Sequence, residues 1–334
     1  MLERHDFVPD FILPTASGVP TRFFGVAPGT LSLLALTPPG VPIDPPPPGI
    51  QLFVIHNRPP ASDTSDTSDT SDNSKRANMA HRTTFIDSEA RIWNLCAGRQ
   101  RARALLLSEN LRVLDIFGPD SSRWSAAIRR SIKERPPTQA LPHAPILLIP
   151  NALDAVFCDR LVDTWASSGH AESGVEISSD GGRSHKLISA LKRRQDHVVT
   201  DQQLLQQLTE RVARRVKPEL SKAFAFDATR FEGFKIGRYQ ASDHGYFRRH
   251  RDNLSPATLH RRFALSLNLN DAYDGGELVF PEYSARYRPA KGGAIVFSCS
   301  LLHEAAAVTR GQRYVLVSFM YRAQDGRAKT PPGS

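Results

Sequence analysis

The sequence has few cysteines and no long apolar run. Cys96, Cys158 and Cys299 are the three cysteines among its 334 residues, and they show no metal-type pairing, so no disulfide framework is predicted. The longest apolar runs, LSLLAL and ILLI, are far shorter than the roughly 20 residues that a membrane span needs. The N-terminus also lacks the apolar stretch of a signal peptide. These absences predict a cytoplasmic protein with no membrane contact.

Positive charge is what the sequence has in excess. The formal net charge is +9, while 40% hydrophobic and 23% charged residues are typical of a soluble globular protein. A positive surface can attract nucleic acid or acidic partners. Arginine-rich composition alone produces the same bias, so we do not expect a nucleic-acid partner. The sequence leaves the oligomeric state open.

The length predicts two domains, and composition indicates where they divide. Residues 61–75 repeat Ser-Asp-Thr without an apolar residue, which predicts a disordered insertion at about 58–80. Short apolar runs and the helical pattern DSEARIWNLCA surround it, so residues 1–134 are predicted to form a small α/β domain. Prolines and polar residues at 135–145 predict a linker.

Residues 146–325 are predicted to form the second domain. Two helical patterns come first, one over 151–169 with Asn151 as its N-cap and one over 201–220. Strands follow, such as RFALSLNLN, in which alternation predicts a half-buried strand. Several short strands with Gly and Pro turns favour a β-sandwich or jelly roll with flanking helices, and the whole chain is therefore predicted to be α+β.

A possible metal site lies in this second half. His250 and Asp252 are two residues apart in YFRRHRDNLS, so in an extended segment they point to the same side. His303 follows another apolar strand and could complete a triad of two imidazoles and one carboxylate, which suits non-heme Fe(II). Arg313, ten residues after His303, could hold a carboxylate, and the Tyr239 hydroxyl could assist it. Taken singly, each of these residues would be a surface pair, a core histidine or a strand-end charge.

The motif set YQASDHGYFRRHRDN, RRFALSLNLND, YDGGELVFPEY and GGAIVFSCSLLHEAAAVTRGQRYVLVSFMY resembles the prolyl 4-hydroxylase-type branch of the Fe(II)/2-oxoglutarate-dependent dioxygenases. This resemblance implies a double-stranded β-helix, or jelly roll, with His250, Asp252 and His303 as iron ligands. It also implies that Arg313 and Tyr239 bind the far carboxylate of 2-oxoglutarate, although two more residues separate Tyr239 from His250 than is usual. The implied co-reactants are Fe(II), 2-oxoglutarate and O2, with ascorbate (vitamin C) as reductant.

The implied reaction is hydroxylation of a C–H bond, with a protein or peptide side chain as substrate. Because Asp252 is a carboxylate and not a small residue, hydroxylation is favoured over halogenation. A nucleic-acid dealkylase of the same superfamily is an alternative, but such enzymes usually carry arginine where this chain has Phe319. A non-catalytic binding or sensor module is the other alternative. The remaining basic residues near the motif, including Arg251 and Arg261, are interpreted as loop charges, some of which would line a substrate entrance.

The first half resembles a peroxiredoxin or thioredoxin-like scaffold, as in a bacterial group in which such a domain precedes the oxygenase. That fold needs a reactive cysteine after its central strand, but the segment here reads ALTPPGVPID. Cys96 lies elsewhere and is either a small core residue or a redox thiol. We therefore expect a degenerate domain without peroxidase activity that docks a substrate or partner.

Overall fold

A computed structural model describes residues 1–27, 29–59, 82–98, 102–134, 143–172, 175–179, 182–186 and 191–325. The predicted insertion and most of the predicted linker lie outside these ranges. The chain divides into two compact units: a first unit of Met1–Pro142 with Pro281–Tyr283, and a second unit of His143–Phe280 with Ser284–Ser334. Among the described residues, none of the helices combines the length and the apolar character that a bilayer span requires.

The first unit is built on a mixed five-stranded sheet with the order β5-β4-β3-β6-β7. Strands β3, β4 and β5 run parallel, whereas β6 is antiparallel to β3 and forms an antiparallel hairpin with β7. The elements are β1 (Ile12–Pro14), β2 (Pro20–Arg22), α1 (Phe23–Val26), β3 (Ser32–Leu36), β4 (Gln51–His56), β5 (Arg82–Ile86), α2 (Arg91–Ala97), β6 (Arg103–Leu107), β7 (Val113–Phe117), a 3₁₀ turn (Ser121–Arg123) and α3 (Trp124–Lys133).

Alternation along the central strand β3 gives this sheet two apolar faces. Leu34 and Leu36 pack in the same cluster as Trp93 of α2, while Leu33 and Ala35 pack with Trp124 of α3. All five residues of β3 are buried because helices cover both sides. The unit is therefore of the α/β type, and its likeness to a thioredoxin-like scaffold stays a prediction.

The second unit contains two main sheets and the separate hairpin β10-β11, and every described strand pair in it is antiparallel. Its strands are β8 (Ile146–Ile149), β9 (Ala171–Glu172), β10 (Val175–Ser179), β11 (Gly182–Lys186), β12 (Lys192–Arg193), β13 (Gln195–Val198), β14 (Arg230–Phe231), β15 (Lys235–Gln240), β16 (Tyr246–His250), β17 (Phe263–Asn268), β18 (Tyr273–Gly275), β19 (Leu278–Phe280), β20 (Ala285–Tyr287), β21 (Ala294–Ser298), β22 (His303–Ala305) and β23 (Val308–Tyr321). The large sheet has the order β8-β21-β17-β23-β15-β13-β9, with β14 and β18 also paired to β23. The small sheet has the order β12-β16-β22-β19-β20. Two antiparallel sheets of this kind are compatible with the jelly-roll fold.

Three helices cover one face of the large sheet: α4 (Ala155–Ser167), α5 (Gln202–Arg215) and α6 (Lys217–Phe224), while 3₁₀ turns lie at Ala241–Asp243 and Pro281–Tyr283. The predicted N-cap of α4 was wrong. Asp154 caps this helix by accepting a hydrogen bond from the Phe157 amide at 2.8 Å, and Asn151 lies in a left-handed turn with φ of 52°. The helix predicted over 201–220 is also divided at Val216, because Pro218 starts a new helix.

The other face of the large sheet lines a cavity. On β17, Leu265 and Leu267 pack in one cluster with residues of the helices, but Ala264 and Asn268 on the opposite side are buried as well. The strand is thus covered on both faces and not half-buried. The alternation that predicted a solvent-facing side marks the side that faces the cavity.

Candidate metal centre and its cavity

Three potential metal ligands converge where two strands of the small sheet meet. His250 ends β16 and His303 starts β22, and the two residues are directly paired across the strands. Asp252 follows β16, held by a hydrogen bond from its amide to the Cys299 carbonyl at 3.0 Å. One ligand atom from each side chain lies within 4.8 Å of the other two. The structure therefore brings the three predicted residues together as a group that could hold one ion.

Both imidazoles present the same nitrogen to this group. The Nδ1 atoms of His250 and His303 lie 2.7 Å and 3.0 Å from the carbonyls of Arg248 and Leu301, so each Nδ1–H is positioned to donate. This arrangement leaves Nε2 as the lone-pair nitrogen. The Nε2 atoms of His250 and His303 lie 3.5 Å and 3.4 Å from the two Asp252 oxygens. Two imidazoles that direct Nε2 toward one carboxylate suit Fe(II), so the residues fit the metal that the motif implies.

The protonation states also favour metal binding. Burial and the neighbouring His250 lower the pKa of His303 to about 4, so its imidazole is neutral at pH 7. Burial by itself would raise the pKa of Asp252, but His303, His250 and Arg261 lower this pKa to about 2. A neutral histidine and an ionised carboxylate are the ligand forms that a metal requires. No proton needs to leave these two groups before an ion binds at neutral pH.

Arg313 and Tyr239 are paired on neighbouring strands β23 and β15 of the large sheet. Arg313 is only 3% exposed, and its Nε and Nη2 donate to Asn268 Oδ1 at 3.2 Å and 3.1 Å. Within the described ranges, Arg313 has no carboxylate within ion-pair distance. The Asn268 amide nitrogen donates in turn to the Tyr273 hydroxyl and the Pro289 carbonyl, each at 2.7 Å. Arg313 is thus a fixed, buried cation whose charge is not balanced by an acid.

A second basic group lines the same cavity and was not anticipated from the sequence. Asp196 on β13 accepts two hydrogen bonds from Arg194, at 2.5 Å and 2.8 Å, and lies 3.4 Å from the Lys192 amine. Arg194 also donates to the Tyr239 hydroxyl at 3.3 Å. Burial and the nearby Arg194 guanidinium lower the pKa of Lys192 to about 7. The alternating Lys-x-Arg-x-Asp pattern could have indicated this group, but in an arginine-rich segment such a pattern resembles a solvent-exposed face.

Two arginines interpreted as loop charges also line the cavity. Arg251 is buried and donates to the Ser300 carbonyl. Arg261 pairs with Glu232, lies 4.0 Å above the Phe319 ring and donates to the Asp252 carbonyl at 3.3 Å. Both residues lie in the loop between β16 and β17, which agrees with their interpretation as loop charges, and both line the cavity.

The cavity has a volume of about 260 Å³ and lies between the two sheets of the second unit. Its walls include the metal-ligand group, Arg313 and the basic group around Lys192. Phe247 and Phe297 pack against the two imidazoles, with ring centroids 3.5 Å from His250 and 4.6 Å from His303. Aromatic walls around polar groups at fixed positions are typical of a site for a small organic molecule.

Comparison with known families gives a match over this part of the chain. Residues 234–321 match the family described as the 2OG-Fe(II) oxygenase superfamily. These residues include β15, which carries Tyr239, both strands that carry the histidines, and the Arg313 strand β23. The family match therefore covers the whole candidate metal centre.

Individual proteins show more limited similarity. A PKHD-type hydroxylase of Maricaulis maris is 42% identical over 60 residues, which cover 17% of this chain and 27% of the relative. The chain thus matches about a quarter of the length of that curated relative. A viral collagen prolyl hydroxylase of Paramecium bursaria Chlorella virus-1 is 18% identical with a TM-score of 0.41, and the match covers 54% of this chain and 97% of that one. A Pseudomonas putida prolyl-4-hydroxylase is 16% identical with a TM-score of 0.40 over 53% and 92% of the two chains. Both structural matches have TM-scores below 0.5.

Proposed function

Residues 234–321 form a domain of the 2OG-Fe(II) oxygenase superfamily, and from this premise we propose that the chain is a hydroxylase of a protein or peptide side chain, with prolyl hydroxylase-like chemistry. The observation that carries the proposal is the convergence of His250, Asp252 and His303 within 4.8 Å. Both histidines direct Nε2 inward because their Nδ1 atoms are held by backbone carbonyls. We propose these three residues as the iron ligands.

The co-substrate site in this proposal is the buried pair of Arg313 and Tyr239. A buried guanidinium without an acidic partner is costly, and a carboxylate of 2-oxoglutarate would supply the missing charge. Asn268 fixes the guanidinium by accepting from two of its nitrogens. Tyr239 accepts from Arg194, which leaves its own hydroxyl hydrogen available to a bound carboxylate. The dicarboxylate would thus meet a preorganised cation and one hydroxyl donor.

Iron and 2-oxoglutarate, when bound, supply the oxidation: O2 and 2-oxoglutarate are consumed, one oxygen atom enters the substrate C–H bond, and succinate and CO2 are released. The protein contributes orientation and a dry wall, with Leu278, Phe297, Val315 and Val317 lining the cavity beside the polar groups. Ascorbate is the expected reductant. The substrate class rests on the resemblance of the motifs to prolyl 4-hydroxylases and agrees with the hydroxylase name of the Maricaulis relative.

Replacement of a metal ligand tests the proposal. Succinate formation from 2-oxoglutarate should require Fe(II) and O2 and should fall to background in His250→Ala, because a two-ligand site loses its metal. His244→Ala is the matched control, since this exposed histidine lies six residues earlier outside the ligand group. Metal content measured by elemental analysis should fall with the activity in the first variant only.

The same assay addresses the substrate. Peptide, amino-acid and nucleic-acid pools are incubated with Fe(II), 2-oxoglutarate and ascorbate, and mass spectrometry detects a gain of one oxygen. A gain in peptides supports the proposed class, whereas demethylated nucleotides would indicate the dealkylase alternative. Iron-dependent turnover that persists in His250→Ala would contradict the metal assignment itself.

A further inference from the structure

A basic group in the cavity wall is left unused by the proposed reaction. Lys192 and Arg194 both line the cavity, and their side chains are 7% and 8% exposed. Lys192 is paired with Phe247 across β12 and β16, and its amine lies 5.0 Å from the centre of that ring. The same ring stacks on the proposed metal ligand His250, with the two ring centroids 3.5 Å apart. Lys192 therefore reaches the cavity beside the proposed iron site.

The charges of this group do not balance around Lys192. Among the residues that the structure describes, Asp196 is the one carboxylate within 4 Å of the Lys192 amine, and it lies at 3.4 Å. Asp196 is already bound at both oxygens by Arg194. The Lys192 ammonium is removed from water and shares a carboxylate that Arg194 already binds, so some of its three N–H donors lack an acceptor. A ligand carboxylate would supply it.

The position of the pair is fixed by the strand beneath it. Gly237 lies between Lys235 and Tyr239 on the cavity side of β15, and a Cβ atom there would come within 2.8 Å of Arg194 Cδ and 2.9 Å of Asp196 Oδ1. Only a glycine lets the Arg194–Asp196 pair lie flat against this strand. The pair is thus a built feature of the wall, and it presents Lys192 toward the cavity.

This group is distinct from the co-substrate site around Arg313. Tyr239 lies between them, since its hydroxyl accepts from Arg194 while its ring centre lies 5.5 Å from the Arg313 guanidinium. Lys235, which is exposed, adds a positive charge at the cavity wall on the Lys192 side. A cationic entrance raises the local concentration of anionic ligands.

We propose that Lys192, supported by the Arg194–Asp196 pair, is a carboxylate subsite that selects substrates with an acidic side chain close to the hydroxylated position. This inference rests on the proposed hydroxylase function and adds the chemical class of the substrate. The same carboxylate chemistry could come from the near end of 2-oxoglutarate, so the experiment separates the two sources.

The test uses the full chain loaded with Mn(II) and 2-oxoglutarate under argon, so that binding is measured without turnover. An equimolar pool of peptide pairs, identical except for Glu against Gln or Asp against Asn, is equilibrated with the protein. The retained peptides are identified by mass spectrometry. Wild type should enrich acidic members roughly ten-fold, since a hydrogen bond to a charged group has about that effect on affinity.

Three variants complete the test. Lys192→Met should bring the acidic-to-amide ratio close to one, whereas Lys192→Arg should retain the preference because the positive charge remains. Lys222→Met is the control, since Lys222 is exposed on α6 away from the cavity, and it should match wild type. Retention of this pattern would support the subsite.

Other outcomes overturn it. Equal retention of acidic and amide peptides by wild type, including retention of neither, contradicts the subsite. Weaker 2-oxoglutarate retention in Lys192→Met with an unchanged acidic preference would assign the lysine to the co-substrate instead. Failure of wild type to retain 2-oxoglutarate and Mn(II) is a different result, because it rejects the proposed hydroxylase function.

Discussion

Arg103 in the first unit and Arg313 in the second are both buried arginines, but their guanidinium groups have different partners. Arg103 donates to the carbonyls of Cys96 at 2.7 Å and Leu2 at 3.0 Å, so it joins distant parts of the chain. Arg313 donates to the amide oxygen of Asn268, has no other hydrogen-bond acceptor recorded among the described residues, and faces a cavity. The Arg103 guanidinium is bound by the protein backbone and stabilises the fold. The Arg313 guanidinium keeps an unbalanced charge at the cavity, where an anionic ligand could bind.

The histidines of the two units differ in the same way. His56 and His303 are both buried, and each Nδ1 lies beside a backbone carbonyl, at 2.7 Å from Thr37 and 3.0 Å from Leu301. His303 also places Nε2 near Asp252, in the metal-ligand group, whereas His56 belongs to no such group among the described residues. Burial of a polar side chain is therefore not a mark of function by itself. A cavity beside a polar group with unmet capacity is the more informative observation.

Cys96, the cysteine of the first unit, supports this contrast. Cys96 is fully buried, and burial raises its pKa to about 12, which is the opposite of what a reactive thiolate needs. The interpretation of Cys96 as a core residue is confirmed. Nothing in the described part of this unit offers a counterpart to the metal centre, so we assign no chemistry to it, and its docking role stays a prediction.

Replacing Arg103 or Arg313 by methionine should give the largest effects, and these effects should differ between the two units. Arg313→Met should raise the KM for 2-oxoglutarate about 100-fold, since a fixed cation with charge-assisted hydrogen bonds is lost. Its melting temperature should change little, because an unbalanced buried charge is also removed. Arg103→Met should leave that KM unchanged and lower stability by about 3 kcal/mol, because two buried carbonyls lose a charged donor.

Succinate release at varied 2-oxoglutarate concentration measures the KM, and thermal unfolding measures the stability. A large KM change in Arg103→Met, or a strongly destabilised Arg313→Met that still binds 2-oxoglutarate normally, would remove the contrast between the two units. Either result would mean that the buried arginines have the reverse of the roles assigned to them.

Tyr239→Phe should have a smaller effect that sharpens the description of the second unit. Loss of one hydroxyl should raise the KM for 2-oxoglutarate about ten-fold, since a single hydrogen bond to a charged group is lost. Tyr314→Phe is the control, because Tyr314 neighbours Arg313 on the opposite face of β23 and donates its hydroxyl to Gln312 at 2.7 Å. Equal KM values in the two variants would remove Tyr239 from the co-substrate site.

The sequence predicted the site residues that follow from the two-residue alternation of a strand and from motif spacing. His250 and Asp252 point to the same side of an extended segment, and antiparallel pairing brings His303 opposite His250. Arg313 and Tyr239 were named from the resemblance and lie side by side. The variants above test the roles proposed for His250, Arg313 and Tyr239.

Other parts of the site could not be read from local patterns. Lys192 lies in a two-residue strand and Arg194 lies between β12 and β13, so neither belongs to a segment long enough to show periodicity. The place of the Arg194 side chain depends on the absence of a side chain at Gly237 on another strand. Asn268 was placed on a polar face, but the second sheet buries that face. Which side of a strand faces solvent is decided by long-range packing, which alternation along one strand does not specify.

His56 gives the smallest predicted effect and tests whether the first unit uses its buried histidine for stability alone. Burial lowers the pKa of His56 from 6.5. The hydrogen bond to the Thr37 carbonyl raises this pKa in part, and the charge of Arg82 lowers it slightly further. The unfolded chain therefore binds a proton at a higher pH than the folded unit does. The stabilisation is present above about pH 6.5 and is lost as the pH falls through the lower folded pKa.

Thermal unfolding between pH 8 and pH 5 should show this loss in wild type and less of it in His56→Gln, whose amide can still donate to the Thr37 carbonyl. The signal must come from the first unit, since His303 also has a lowered pKa. Tryptophan fluorescence in a Trp165→Phe background reports on the first unit, because Trp93 and Trp124 are then the remaining tryptophans and both belong to that unit. Identical pH profiles with and without His56 would show that another group controls acid stability, whereas a difference would make His56 the structural counterpart of His303.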